Sequence, residues 1–292
     1  MTFPFPGARA GRDATDDPDD AAGGDAYTLV GAPLDASTSF QPGARFGPDL
    51  VRRFAGAYDD YDRRTDSQFS AAGVRDAGDV RAWDAAADYL DHLTAELRAA
   101  VIDGTVPLVV GGEHTVSWAG VRATDPDVLV VVDAHLDLRD AYDGNPLSHA
   151  CVTRRALDGL DDGDYPTVDD VVVVGARTGS RAEWERADRA DVTVVPPEAA
   201  ADWTAGFGDR DVYLSVDIDG VDPGFAPGTG TMEPFGLSPR EARDVVRAVA
   251  PACVGFDAVE VNDRDDGQTA ALAAKLLREF VRSHSAADAG AE

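Results

Sequence analysis

Seven short apolar runs, most of them dominated by valine, recur along the chain at 27–31, 106–111, 128–132, 171–175, 192–195, 212–216 and 253–259. Runs of this length with little internal polarity suit strands buried on both faces. Helical patterns lie between them. The clearest spans 84–102, where Leu90, Leu93, Leu97 and Val101 repeat at spacings of three and four. A second opens at Ser238 with Pro239 in its first turn and Glu241 three residues after the serine, a Ser-x-x-Glu capping box. Strands alternating with helices predict an α/β fold, a three-layer α/β/α sandwich around a mainly parallel sheet. No repeat or Pro/Ser-rich linker divides the middle. Residues 26–283 are therefore expected to form one domain, flanked by a flexible acidic lead-in over 1–25 and a flexible tail over 284–292.

Charge excludes several function classes. The 292 residues carry 54 Asp plus Glu against 26 Lys plus Arg, a net charge of −28. That balance argues against nucleic acid, whose phosphates need a basic footprint. The acids are spread along the whole chain and Lys275 is the only lysine, which fits a strongly hydrated exterior adapted to high salt. No apolar run is long enough to span a membrane, and the first ten residues lack a secretory pattern, so no membrane partner is expected. The two cysteines, Cys151 and Cys253, suggest no disulfide framework and fit a reducing cytoplasm.

In open parallel sheets, ligands collect beyond the carboxyl ends of the strands. Three of the apolar runs end there in potential metal donors. The run at 106–111 leads to His114, the run at 128–132 to Asp133, His135 and Asp137, and the run at 212–216 to Asp217 and Asp219. Alternate positions of an extended segment share one side, so Asp-x-His-x-Asp and Asp-x-Asp each present their donors together. A lone Asp-x-Asp in so acidic a chain is ordinarily a solvated turn. Donors behind three buried strands, in a chain with only five histidines, are not the pattern of a random acidic surface. Four carboxylates and two imidazoles suit Mn²⁺ or another hard-to-borderline divalent ion. Their number suits two ions sharing bridging carboxylates and jointly acidifying a water.

The motifs Gly-Gly-Glu-His (111–114), Asp-Ala-His-Leu-Asp (133–137), Ser-Val-Asp-Ile-Asp-Gly-Val-Asp-Pro (215–223) and Phe-Ala-Pro-Gly-Thr-Gly-Thr (225–231) resemble, in this order, the signatures of the ureohydrolases, the arginase and agmatinase family. The resemblance implies two Mn²⁺ per subunit, one held by His114, Asp133, Asp137 and Asp217 and the other by His135, Asp133, Asp217 and Asp219. It makes Glu260, in Val-Glu-Val-Asn, the carboxylate that holds the substrate guanidinium, and His149 a histidine that shuttles protons beside the substrate. A carboxylate suits that planar fork, and an imidazole with a pKa near 6.5 suits proton exchange. Water activated between the ions would then attack the guanidinium carbon, and Asp137 would pass the proton to the leaving nitrogen.

Arginase-like members bind an α-amino acid through polar residues soon after Asp-x-His-x-Asp. Here Leu138-Arg139-Asp140-Ala141-Tyr142 lacks that set, and the chain resembles the agmatinase branch. The implied substrate is agmatine, a cationic guanidine cleaved to putrescine and urea in polyamine biosynthesis. Aminopropyl-agmatine and other guanidino or formimino compounds are the alternatives. Ala150, Cys151, Met232 and Phe235 depart from common family patterns near the mouth of the site and bear on substrate choice. Arg177 is expected to structure a loop rather than touch substrate, and Cys151 is not expected to act as a nucleophile. A metal-dependent deacetylase on a related fold is disfavoured by the complete two-ion set, and a non-catalytic binding protein by its intact ligands. The resemblance also implies a homotrimer or homohexamer.

Overall fold

The computed structural model describes residues 4–11, 24–81, 83, 85–160, 163 and 165–291. Its strands are β1 (Arg9–Ala10), β2 (Tyr27–Ala32), β3 (Tyr61–Asp62), β4 (Ser67–Gln68), β5 (Val74–Asp79), β6 (Val106–Gly111), β7 (Val128–Val132), β8 (Asp170–Val174), β9 (Val192–Val195), β10 (Val212–Asp217) and β11 (Cys253–Val259). Its helices are α1 (Gly47–Ala55), α2 (Ala86–Ile102), α3 (Val116–Thr124), α4 (Val152–Asp158), α5 (Arg181–Ala187), α6 (Pro239–Val249) and α7 (Gln268–Ala291).

Nine strands form one sheet in the order β1-β5-β2-β6-β11-β10-β7-β8-β9, every pair parallel. β3 and β4 pair separately as a small antiparallel ribbon. Strand alternation divides the valine runs between two faces. Leu108, Val110, Val128, Val130, Val132, Leu214 and Val216 pack with residues of α1, α6 and α7. Val109, Val259, Leu129, Val131, Val171 and Val173 face the opposite way, toward residues of α2, α3 and α4. The expected three-layer α/β/α sandwich is thus the fold, because the central apolar runs have a helix layer on each side to bury them, while the edge strand β9 stays partly exposed.

The seven apolar runs all became strands, and the Ser238 capping box is present, with Ser238 Oγ accepting from Glu241 N–H and the Glu241 side chain from Ser238 N–H. The helix expected over 84–102 is α2, although position 84 lies outside the described residues. Its buried stripe is Tyr89, Leu90, Leu93, Leu97 and Ala100, while Val101 is turned outward.

Three segments differ from expectation. β5, Val-Arg-Asp-Ala-Gly-Asp, was not foreseen as a strand because three of its six residues are charged. Those charges are paired: Arg52 of α1 forms a bidentate pair with Asp76 at 2.8 and 2.9 Å and reaches Asp79 at 2.6 Å. Within the expected lead-in over 1–25, residues 4–11 are ordered. Phe5 is buried against Phe69, its N–H donates to Asp76, and β1 adds to the sheet edge beside β5. Residues 12–23 of that segment lie outside the described residues. In the expected tail over 284–292, α7 continues to Ala291, with His284 and Ser285 bonded to the Tyr27 hydroxyl. Tyr27 itself is part of the core, so α7 has a buried partner at His284 and Ser285.

Removing one member of a buried, hydrogen-bonded ion pair strands the other, at a cost of about 3–5 kcal/mol. Asp76→Ala should therefore lower unfolding stability by about that amount in denaturant melts, while Asp209→Ala, at an exposed position, should change it by less than about 0.5 kcal/mol.

Candidate active site and metal centre

Four adjacent strands at the sheet centre, β6, β11, β10 and β7, end side by side. Their last residues and the segments following them carry His114, Glu260, Asp217 with Asp219, and the Asp133-His135-Asp137 set. The parallel register fixes this meeting point. Gly112 is needed where β6 leaves the sheet, because a Cβ there would lie 1.8 Å from the Leu34 carbonyl oxygen.

Backbone N–H groups aim the carboxylates. Asp133 Oδ1 accepts from His135 N at 2.7 Å, Asp217 Oδ1 from Asp219 N at 2.9 Å and Asp219 Oδ1 from Ala134 N at 3.1 Å. The second oxygens turn toward the imidazoles. His114 Nδ1 lies 2.9 Å from Asp137 Oδ2, 3.1 Å from Asp133 Oδ2 and 3.4 Å from Asp217 Oδ2. His135 Nδ1 lies 3.0 Å from Asp219 Oδ2 and 3.5 Å from Asp133 Oδ1. Two groups have donor atoms close enough together to surround an ion, His114-Asp133-Asp137 and Asp133-His135-Asp219, and Asp133 belongs to both.

This donor set fits divalent cations. One ring nitrogen cannot satisfy three carboxylates, and Asp133 Oδ2 is buried without a hydrogen-bond partner. Burial, reinforced by the charges of Asp219 and Asp133, pushes the Asp217 carboxyl well above its ordinary range. Burial and Asp133 likewise raise Asp137 to about 6. Burial alone would lower His135, but Asp219 and Asp133 outweigh it and push it up to about 12. The cluster is short of positive charge and draws protons where cations are missing.

Glu260 and His149 stand beside these donors. Glu260 Oε1 accepts from His114 N at 2.9 Å and lies 3.0 Å from His149 Nδ1. Burial opposes ionisation of Glu260, but His149 holds its carboxyl below the usual value. Burial would lower His149, and Glu260 raises it to about 9. Asp137 and Glu260 both have positive φ, 49° and 59°, uncommon for residues with side chains and typical of functional positions.

Sequence reasoning missed the groups that hold this centre. Glu113, one residue before His114, accepts from Ser37 N at 2.6 Å and from Ser37 Oγ at 2.9 Å; Ser37 Oγ in turn accepts from His149 N at 2.8 Å. The same loop brings Ser39 N and Oγ to His149 Nε2, at 3.1 and 2.9 Å. Thr231 Oγ1 donates to Asp219 Oδ2 at 2.9 Å. Thr231 sat within a recognisable motif, whereas Ser39 carried no signal. Arg177 is a loop-structuring residue: its guanidinium donates to the backbone carbonyls of Gly175, Asp219, Gly220, Glu233 and Pro234.

The donors open into a cavity of about 330 Å³ whose wall includes Arg139, Tyr142, Ser180 and Glu183. Glu183 caps α5, accepting from Ser180 N and Oγ, and pairs with Arg139 at 3.3 Å; the Arg139 guanidinium lies over the Tyr142 ring. The free Cys151 is buried, and burial pushes its thiol up to about 11, which disfavours a nucleophilic thiolate.

The profile of the Arginase family matches residues 25–282. The chain belongs to the arginase family. It is 33% identical over 273 residues to the agmatinase of Halalkalibacterium halodurans, covering 87% of this chain and 90% of the relative. It is 34% identical over 264 residues to the N(1)-aminopropylagmatine ureohydrolase of Thermococcus kodakarensis, covering 86% and 88%. The solved agmatine ureohydrolase of Thermoplasma volcanium superimposes with a TM-score of 0.80 at 35% identity, covering 91% of this chain and 93% of that one. This arginase-family member is a ureohydrolase, a hydrolase of guanidino C–N bonds. No helix among the described residues is long and apolar enough to cross a membrane.

Because ions that bind only the folded state stabilise it, Mn²⁺ at 100 times its Kd should add about 2.7 kcal/mol. The melting temperature should rise by several degrees, EDTA should reverse the rise, and Asp217→Asn should reduce it in calorimetric scans.

Proposed function

We propose that the protein hydrolyses agmatine to putrescine and urea with two Mn²⁺ ions. The observation that carries this reading is the pair of donor groups sharing Asp133, with Glu260 and His149 hydrogen-bonded to each other beside them and with His135, Asp137, His149, Asp217 and Asp219 lining one cavity. His114, Asp133, Asp137 and Asp217 would hold one ion, and His135, Asp133, Asp217 and Asp219 the other. When bound, the ions supply the positive charge that lowers the pKa of a water from near 15.7 toward neutrality.

The residues divide the remaining work. Glu260, ionised and fixed by His114 N–H, orients the cationic guanidinium by a charge-assisted contact. The water oxygen bonds to the guanidinium carbon, and Asp137 takes the water proton. The C–N bond to the butyl amine chain then breaks as that proton goes to the leaving nitrogen, and the remaining hydroxyl proton follows it, releasing urea and the amine as an ammonium ion. His149 exchanges protons with solvent past Ser39, whose N–H points at Nε2 and whose hydroxyl lines the cavity.

Names among the relatives support agmatine, and the aminopropylagmatine ureohydrolase at 34% identity supports the longer substrate as the second reading. A homotrimer or homohexamer, a cytoplasmic location and a salt-adapted exterior complete the proposal, the last resting on the net charge of −28.

Urea release from agmatine, aminopropyl-agmatine, arginine and guanidinobutyrate tests it, in low and in molar salt. Agmatine should be turned over with Mn²⁺ and not with EDTA. Glu260→Gln should lower kcat/KM by about 100-fold or more, and Asp217→Asn should abolish turnover. Urea from aminopropyl-agmatine alone would move the assignment to the second reading, and no urea from any substrate by folded, metal-loaded protein would overturn it.

A further inference from the structure

Asp257 is an acidic residue in the middle of β11, an otherwise apolar strand, and it takes no part in the reaction above. It is fully buried between neighbouring strands, facing Val109 of β6 on one side and Ser215 of β10 on the other in the sheet register. A carboxylate in such a place is expensive unless it serves a hydrogen-bond network. Its Oδ1 lies 2.6 Å from Ser215 Oγ, and Ser215 Oγ lies 3.1 Å from His114 Nε2. Ser117 Oγ is the remaining neighbour of that hydroxyl, at 3.2 Å. Asp257 thus reaches, through one serine, the far side of the imidazole whose Nδ1 faces Asp133, Asp137 and Asp217.

The hydroxyl has a single proton, and the short bond to a carboxylate uses it. Toward His114, Ser215 Oγ must therefore accept, so Nε2 carries the ring proton. In the neutral ring Nδ1 is then a lone pair aimed at the three carboxylates. A metal-bound histidine generally has its other nitrogen fixed by such an acceptor, which sets both tautomer and ring plane. His135 differs: among the described residues no hydrogen bond to its Nε2 is seen, and its side chain is 26% exposed.

We infer that Asp257, acting through Ser215, is a positioning residue that holds His114 ready to bind a divalent cation, and that it governs the affinity of only one of the two ions. The inference rests on the two-ion reading of the site.

Titration calorimetry with Mn²⁺ on the full chain, alongside melts in EDTA, tests it in Ser215→Ala, Asp257→Asn and the double variant. The wild type should bind two ions. In Ser215→Ala one ion should bind about 10- to 100-fold more weakly and the other unchanged. Asp257→Asn, which keeps an acceptor oxygen and loses the charge, should shift the same ion by less. The double variant should match Ser215→Ala, since both changes cut one chain. Should Asp257→Asn fail to fold, Ser215→Ala alone decides. Two wild-type affinities in folded Ser215→Ala, or equal weakening of both ions, would overturn the inference and leave the proposed reaction standing. A wild type that binds no ion would overturn the two-ion reading and the inference together.

Discussion

Four aspartates, Asp133, Asp137, Asp217 and Asp219, are buried within reach of one another at the end of the sheet, and the rest of the site is arranged around their mutual repulsion. Two unit charges about 4 Å apart repel by about 4 kcal/mol at an effective dielectric constant of 20. A few such terms rival the whole stability of a domain, about 5–15 kcal/mol. His114 and His135 offset part of this as cations in the metal-free protein. If they serve as neutral ligands, as in the proposed function, that compensation would have to come from the ions. The carboxylates are held in place all the same, because each of Asp133, Asp217 and Asp219 has one oxygen tied to a backbone N–H.

Parallel strands make that arrangement possible. Four of them deliver their last residues to one line, and the apolar runs that fix their register are buried by helices on both faces, so the ends cannot slide. The site's wall is then hung from its floor. Glu113 anchors the loop carrying Ser37 and Ser39, and that loop grips His149 at its backbone nitrogen and at Nε2. Positive φ at Asp137 and Glu260, strain of about 1–3 kcal/mol each, is tolerated where a hydrogen-bonded surround over-determines both residues.

The floor was legible because its chemistry lies in short spacings: alternate donors after an apolar run can be recognised without knowing the fold. The sheet was legible wherever a strand was apolar. β5 was hidden because Arg75, Asp76 and Asp79 resemble a solvated loop, and it is Arg52 from α1, with Asp25 beside Arg75, that makes that strand buriable. Ordering of Phe5 depends on the same Asp76, so missing one meant missing the other. Val101 kept the helical spacing yet points outward, because in the last turn Ala100 takes the buried position while Leu90, Leu93 and Leu97 hold the expected stripe. Ser39 could not have been found, its position being set by Glu113 from a distant part of the chain. Asp257 could have been: an acid inside an apolar strand is a visible inconsistency.

Arg177 makes its hydrogen bonds to the neighbouring loops through main-chain oxygens. A clamp of that kind is indifferent to the side chains of the segment it holds. Met232 and Phe235, both exposed, belong to the stretch whose Glu233 and Pro234 carbonyls it grips. A change at Met232 can therefore alter the chemistry of this stretch while the gripped carbonyls, that of Asp219 among them, stay where they are, whereas Phe235, at φ 68°, and Gly236, whose Cβ would lie 2.6 Å from the Arg177 guanidinium, are tied to the loop's path.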